Sequence, residues 1–180
     1  MGTRKTHKTH IVSWYGPFHS IEEIEEWQYE HQNMDFCLYL IQGKKPYART
    51  YSYYCGQTRR PVTQRFNDRD HHINEIPNCR NIWIGSFENR YTKTDIDVVE
   101  NMFIHILSFF INDSQLLNKR DKALNKVIKY TKGNVFLISK WNNINRQPEY
   151  SIKLQLPEIA AYFVETGEVK FARKLRLHSL

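Results

Sequence analysis

What this 180-residue chain lacks narrows its class before any motif is considered. No apolar run approaches the ~20 residues of a membrane-spanning helix. The opening MGTRKTHKTH has no apolar core of the kind a secretory signal carries. Three cysteines, Cys37, Cys55 and Cys79, with no CxxC spacing, suit a reducing compartment, and the cytoplasm is the expected location. Cys37 and Cys55 read as buried free thiols rather than a pair. Internal repeats, low-complexity segments and long linkers are missing too, so one domain, or a small domain with additions, is expected. What is present is 41% hydrophobic and 14% aromatic residues, enough for a globular core. A net charge of +7 favours a polyanionic partner, the alternative being a generally basic soluble protein.

The chain is organised around FCLYLIQGKKPYARTYSYYCGQTRRPVTQRF, residues 36 to 66. Phe36 to Gln42 is nearly all apolar, as in a strand buried on both faces. A second strand-like run, Thr50 to Gly56, brings Tyr51, Tyr53 and Tyr54 together. Thr58 is a plausible cap, and Pro61 suits the first turn of a basic helix carrying Arg65 and Arg69 one turn apart. Two tyrosines on adjacent strands and an arginine from the next helix have the chemistry to converge on a phosphate. For the tyrosines taken alone, ordinary strand packing is the competing explanation.

These residues resemble the GIY-YIG nucleases. Cys37-Leu38-Tyr39 stands where GIY would be and Tyr54-Cys55-Gly56 where YIG would be, with Arg65, Glu100 and Asn118 following in the family's order over residues 35 to 120. Cys37 replaces the first glycine, and an insert around Lys44 to Tyr51 lengthens the hairpin at little entropic cost. The resemblance implies an α+β fold, a small three-stranded antiparallel sheet flanked by helices. It would carry N-terminal helical additions (1–34) and a C-terminal, mostly β extension (121–180). It further implies Tyr39 as general base, Tyr54 orienting water or phosphate, and Arg65 on the phosphate. Glu100 would be ligand to Mg2+ (Mn2+ substituting), and Asn118 would support the site by hydrogen bonds. Many family members have a histidine or tyrosine one turn past the arginine; here Arg69 stands there, and His71 or His72 is the substitute, His72 sharing Arg65's face better. Arg59, Arg60, Arg69, Lys119 and Arg120 are the expected nucleic-acid contacts.

Elsewhere, residues 1 to 10 read as a mobile basic arm, with His7 and His10 solvated rather than metal-binding. Ser20 and Glu23 form a capping box before a helix with Ile21, Ile24 and Trp27 on one face. Asn81 to Phe87 is a third strand. A helix capped at Thr94 or Asp95 follows, with Ile96, Val99, Phe103, Ile106, Leu107 and Phe110 as its stripe. Glu100 sits at the stripe's edge, where a carboxylate needs a partner: an arginine, or a metal. Lys119 to Tyr130 reads as a cationic helix. Val135 to Trp141, Tyr150 to Leu156 and a hairpin about Thr166-Gly167 read as strands that extend the sheet, read DNA or form a homodimer interface. The expected function is a metal-dependent DNA endonuclease, restriction-type or phage-related, without membrane association. The alternatives are a catalytically silent nucleic-acid-binding module and an RNA-cleaving nuclease with the same site.

Overall fold

The computed structural model describes residues 6–31, 36–87, 91–119, 122–141 and 157–172. Twelve elements follow one another: β1 (Lys8–Phe18), α1 (Ile21–Glu30), β2 (Cys37–Lys44), β3 (Ser52–Thr58), α2 (Val62–Phe66), a 3-10 turn (His72–Glu75), β4 (Asn78–Phe87), α3 (Lys93–Phe110), α4 (Asn125–Tyr130), β5 (Val135–Trp141), β6 (Ile159–Phe163) and β7 (Glu168–Ala172). The strands form one mixed sheet in the order β3-β2-β4-β1-β5-β6-β7. All neighbours are antiparallel except β1 and β5.

This overturns the small three-stranded sheet. The predicted hairpin and third strand are present, but they make only one side of a seven-stranded sheet. The physical reason lies in the N-terminus: Lys8 to His10 are the start of β1, paired with Val135 to Leu137 of β5, not a mobile arm. Their alternation with Val12 and Trp14, both buried, continues a strand across the stretch expected to be unstructured. β1 therefore joins the β2–β4 half to the β5–β7 half, and the proposed segments 1–34, 35–120 and 121–180 share a single sheet.

Strand alternation gives that sheet two distinct covers. One face carries Leu38, Leu40, Tyr53, Cys55, Val12 and Trp14 against the apolar stripe of α3. The other carries Cys37, Tyr39, Ile41, Ile82 and Ile84 against Ile24 of α1, Val62 and Phe66 of α2, and Ile73 and Ile76 around the 3-10 turn. Cys37 and Cys55 are free, buried and on opposite faces, so they have no geometry for a disulfide.

Several helix expectations change. The Ser20 hydroxyl accepts from Glu23 N–H and starts α1 as expected. α3, however, begins two or three residues early: Thr92 caps it in a reciprocal box with Asp95. α2 is only five residues long and ends at Phe66, so Arg69 lies beyond it, exposed, and not one helical turn from Arg65. The cationic helix of 119–130 is reduced to α4, whose start is set by buried Asn101: its side-chain oxygen accepts from the N–H groups of Lys126 and Val127. The Thr166-Gly167 turn joins β6 and β7, with Gly167 at φ +69. The strand expected over Tyr150 to Leu156 lies outside the described residues. No helix among the described residues is long and apolar enough to cross a membrane.

Candidate functional site

The centre of the site is the β2–β3 register. Tyr39 lies directly opposite Gly56, and Ile41 opposite Tyr54, so Tyr39 and Tyr54 are diagonal neighbours on one face. The Tyr39 ring lies across Gly56 so closely that a Cβ there would sit 2.4 Å from its hydroxyl oxygen. Tyr39 is wholly buried, with Phe66 edge-on at 5.1 Å between ring centroids.

Around its hydroxyl the polar groups are ordered by elementary donor and acceptor counting. His71 Nδ1 accepts from Ile73 N–H at 3.0 Å, so in the neutral ring the proton is on Nε2. Nε2 lies 2.9 Å from the Tyr39 hydroxyl and donates to it. Burial, then the charges of Arg65 and His72, lower the His71 pKa to about 4, which keeps this neutral tautomer at pH 7. The Arg65 guanidinium stands near enough to favour the ionised form of the Tyr39 hydroxyl. The Tyr54 ring lies beside that of Tyr39 on the same face, 6.1 Å away between centroids. His71 therefore fixes the Tyr39 hydroxyl, with Arg65 and Tyr54 beside it.

Of the two tyrosines, Tyr54 is the accessible one. Tyr54 lines a hollow of about 460 Å3 with Lys45, His72, Glu75, Leu117, Asn118 and Lys119. Burial, the neighbouring Cys55 thiol and the Glu100 charge push the Tyr54 hydroxyl up to about 12, with Arg65 opposing. Burial raises the Tyr39 hydroxyl further, and Arg65 again opposes. Having no exposed surface, Tyr39 meets no solvent water in this conformation. That works against the general-base role the resemblance gives it.

The two histidines divide. Both ring nitrogens of His71 are engaged, leaving none for a substrate. His72 is partly exposed: its Nδ1 is held by the Glu75 carboxylate and its ring lies 4.5 Å from that of Tyr54. Nε2 is then the nitrogen with a lone pair to offer. His72 sits in the separate 3-10 turn rather than two turns along the helix of Arg65.

Asn118 acts on the backbone. Residues 115–117 run beside β3, with Tyr53 N–H donating to Gln115 O and Leu117 N–H to Tyr53 O, both at 2.8 Å. Asn118 extends this pairing with its side chain, accepting from Cys55 N–H at 2.9 Å and donating to Cys55 O at 2.7 Å. It thus secures the strand between Tyr54 and Gly56.

Glu100 is not gathered with these groups. Tyr53 and Cys55 face α3, so Gln57 does as well, and Tyr54 and Gly56 face the other way. The Glu100 carboxylate accepts from Gln57 Nε2 at 2.9 Å and pairs with Lys126 at 3.2 Å. Asp97, one turn earlier, accepts from the same Gln57 amide at 2.6 Å. Edge strand β3 thus stands between Glu100 and the Tyr39–Arg65 cluster, and the Glu100 charge acts on Tyr54 across it. Among the described residues, no three His, Cys, Asp or Glu side chains gather into a metal cage. The donor chemistry of Asp97 and Glu100 nevertheless suits Mg2+ or Mn2+, since Mg2+ takes one or two carboxylates and completes its shell with water and phosphate.

Of the expected nucleic-acid contacts, Arg59 is exposed and lies over the Phe36 ring, 4.8 Å from its centroid. Arg60 and Arg65 both bind the Asp68 carboxylate. Lys119 is exposed on the rim of the hollow, and Arg120 lies outside the described residues. Asp68, Asp97, Gln57 and Lys126 were not anticipated. Asp68 had a local signal, three residues after Arg65, as did Asp97, one turn before Glu100. Gln57 had one too, sharing the alternation of Tyr53 and Cys55. Lys126 reaches Glu100 only through the docking of α4 on α3. Compared with known proteins, the chain matches no family model, no curated protein and no solved structure.

Proposed function

We propose that this chain is a metal-dependent endonuclease of the GIY-YIG type, hydrolysing DNA phosphodiester bonds. The observation that carries this reading is the His71–Tyr39 hydrogen bond, with Tyr54 beside it, next to an open hollow with Lys45 and Lys119 in its wall. Packing alone requires neither a neutral histidine with a fixed tautomer nor a guanidinium at a buried phenol. Arg65 holds the phosphate, its planar fork suiting two oxygens at once. Tyr54 orients the attacking water, with Tyr39 and His71 fixing its position from behind. His72 Nε2 takes the proton as the water oxygen bonds to phosphorus and the bond to the leaving sugar oxygen breaks. Asp97 and Glu100, on the α3 side of β3 and across that strand from Arg65, would hold the divalent ion, whose chemistry is charge stabilisation of phosphoryl oxygens. Buried free thiols at Cys37 and Cys55 suit a cytoplasmic location.

The competing reading is a nucleic-acid-binding module without catalysis. It is favoured by one observation, the engagement of Glu100 by Gln57 and Lys126. The test is cleavage of long mixed-sequence DNA, and of RNA, with Mg2+ or EDTA, by wild type, Glu100→Gln, Arg65→Ala and His72→Ala. The endonuclease reading expects metal-dependent DNA cleavage that each substitution reduces by at least tenfold. Discrete fragments would mean a recognition sequence. Binding without cleavage of either nucleic acid would establish the second reading, and cleavage of RNA alone would reassign the substrate.

A further inference from the structure

The segment joining β2 to β3, residues 45–51, is longer than the two to five residues hairpin loops commonly use. Its tip is a turn in which Ala48 N–H donates to Lys45 O at 3.1 Å. Pro46 holds the second position and Tyr47 the third, at φ 62. A positive φ at the third position is where glycine or asparagine belongs. A tyrosine there is strained, and it packs on nothing: its side chain is fully exposed. Strain held at an exposed aromatic points to what the residue does rather than to how it folds.

Charge singles out the same element. No aspartate or glutamate occurs between Asp35 and Asp68, a stretch that holds six lysines and arginines. Three of them, Lys44, Lys45 and Arg49, lie at the hairpin tip. Arg59 and Arg60 lie at the opposite end of β3, which at ~3.3 Å per residue is about 20 Å away. Lys45 also lines the hollow that contains Tyr54, His72 and Lys119, beside Glu75. The tip and the candidate site are therefore parts of one surface, with positive charge at both ends of the edge strand and the Tyr54 hydroxyl between them.

We infer that the β2–β3 hairpin tip is a nucleic-acid-contacting element. Lys45 and Arg49 bind backbone phosphates flanking the scissile one, and the Tyr47 ring stacks on a base flared from the strand. This rests on the endonuclease reading for the identity of the polyanion. A span of about 20 Å corresponds to about six base pairs of duplex at 3.4 Å each, so the two basic ends would grip the substrate on either side of the hollow.

The test is fluorescence anisotropy in EDTA with two probes, a mixed-sequence 30-base-pair duplex and a mixed-sequence 30-nucleotide single strand, over a salt series. Each phosphate contact contributes about 0.9 to the slope of log affinity against log salt on duplex. Lys45→Ala with Arg49→Ala is expected to lower that slope by about 2. Tyr47→Ala is expected to weaken single-strand binding about 5- to 150-fold at fixed salt, the range for one lost stacked base, while Tyr47→Phe stays within twofold of wild type. These side chains are at the surface, so the variants should melt with wild type. An unchanged slope, together with an unchanged affinity in Tyr47→Ala, would overturn the inference; if Arg65→Ala still abolished cleavage, the endonuclease reading would survive it. Absence of wild-type binding to both probes would overturn both.

Discussion

Replacing Gly56 by alanine puts the closest contact in the site to a quantitative test. The new methyl carbon would lie 2.4, 2.5 and 2.7 Å from the Oη, Cζ and Cε2 atoms of Tyr39, against about 3.5–4.0 Å for an unstrained carbon contact. Neither side can easily yield. The strand register is locked on both sides by the Leu38–Gln57 and Leu40–Cys55 pairs, and the Tyr39 ring is backed by Phe66 and His71. Overpacking of this kind costs about 1–3 kcal/mol. Displacing the ring also strands the His71 donor in a buried site, for a further penalty of about 1–3 kcal/mol. The entropic gain of glycine to alanine, about 0.4–1 kcal/mol, offsets little of this. A net loss of about 2–5 kcal/mol follows, which at about 2–4 °C per kcal/mol for a chain of this size lowers the Tm by roughly 5–20 °C. Urea and thermal unfolding measure it, and the double-mutant cycle with Tyr39→Leu assigns it. With the ring removed, Gly56→Ala should become nearly neutral. A cost below about 1 kcal/mol in the wild-type background, or the same cost in both backgrounds, would refute the ring-over-glycine account.

Three further outcomes are expected. His71 titrates near 4 in the fold against about 6.5 in the unfolded chain, so its contribution is complete above pH 6.5 and is lost as the pH falls from there towards 4, up to about 3 kcal/mol. His71→Gln should flatten that part of the stability profile, and parallel wild-type and mutant profiles from pH 7 to 4.5 would contradict it. Asn118→Ala leaves the Cys55 N–H and C=O without their side-chain partner and should cost about 1–3 kcal/mol. Faster hydrogen exchange at the Cys55 amide is the local readout, and unchanged protection there would remove Asn118 from the strand edge. Asn101→Ala, at a fully buried position, removes the acceptor for the first amides of α4 and should selectively lower exchange protection over Asn125–Tyr130. Uniform loss across the whole chain would show that α4 does not depend on this cap.

Local chemistry made part of this protein legible in its sequence. The unbroken apolar run of β2, the Ser20–Glu23 start of α1 and the Gly167 turn are each specified by neighbours a few residues apart. The apolar stripe of α3 depends on the same helical spacing. So is the grouping of Tyr39, Tyr54 and Arg65, because a hairpin followed directly by a helix brings them close whatever lies beyond. Tertiary structure decided the rest. That β1 is a central strand depends on pairing with β5, more than a hundred residues away, and no local pattern encodes a partner at that distance. The Glu100 side chain faces the opposite cover of the sheet from Tyr39 because α3 packs on the face of Tyr53 and Cys55, a choice made by burial of its whole stripe. The different states of His71 and His72 follow from which one reaches a buried hydroxyl. Adjacent and identical in sequence, they differ only in what the folded chain places against each ring.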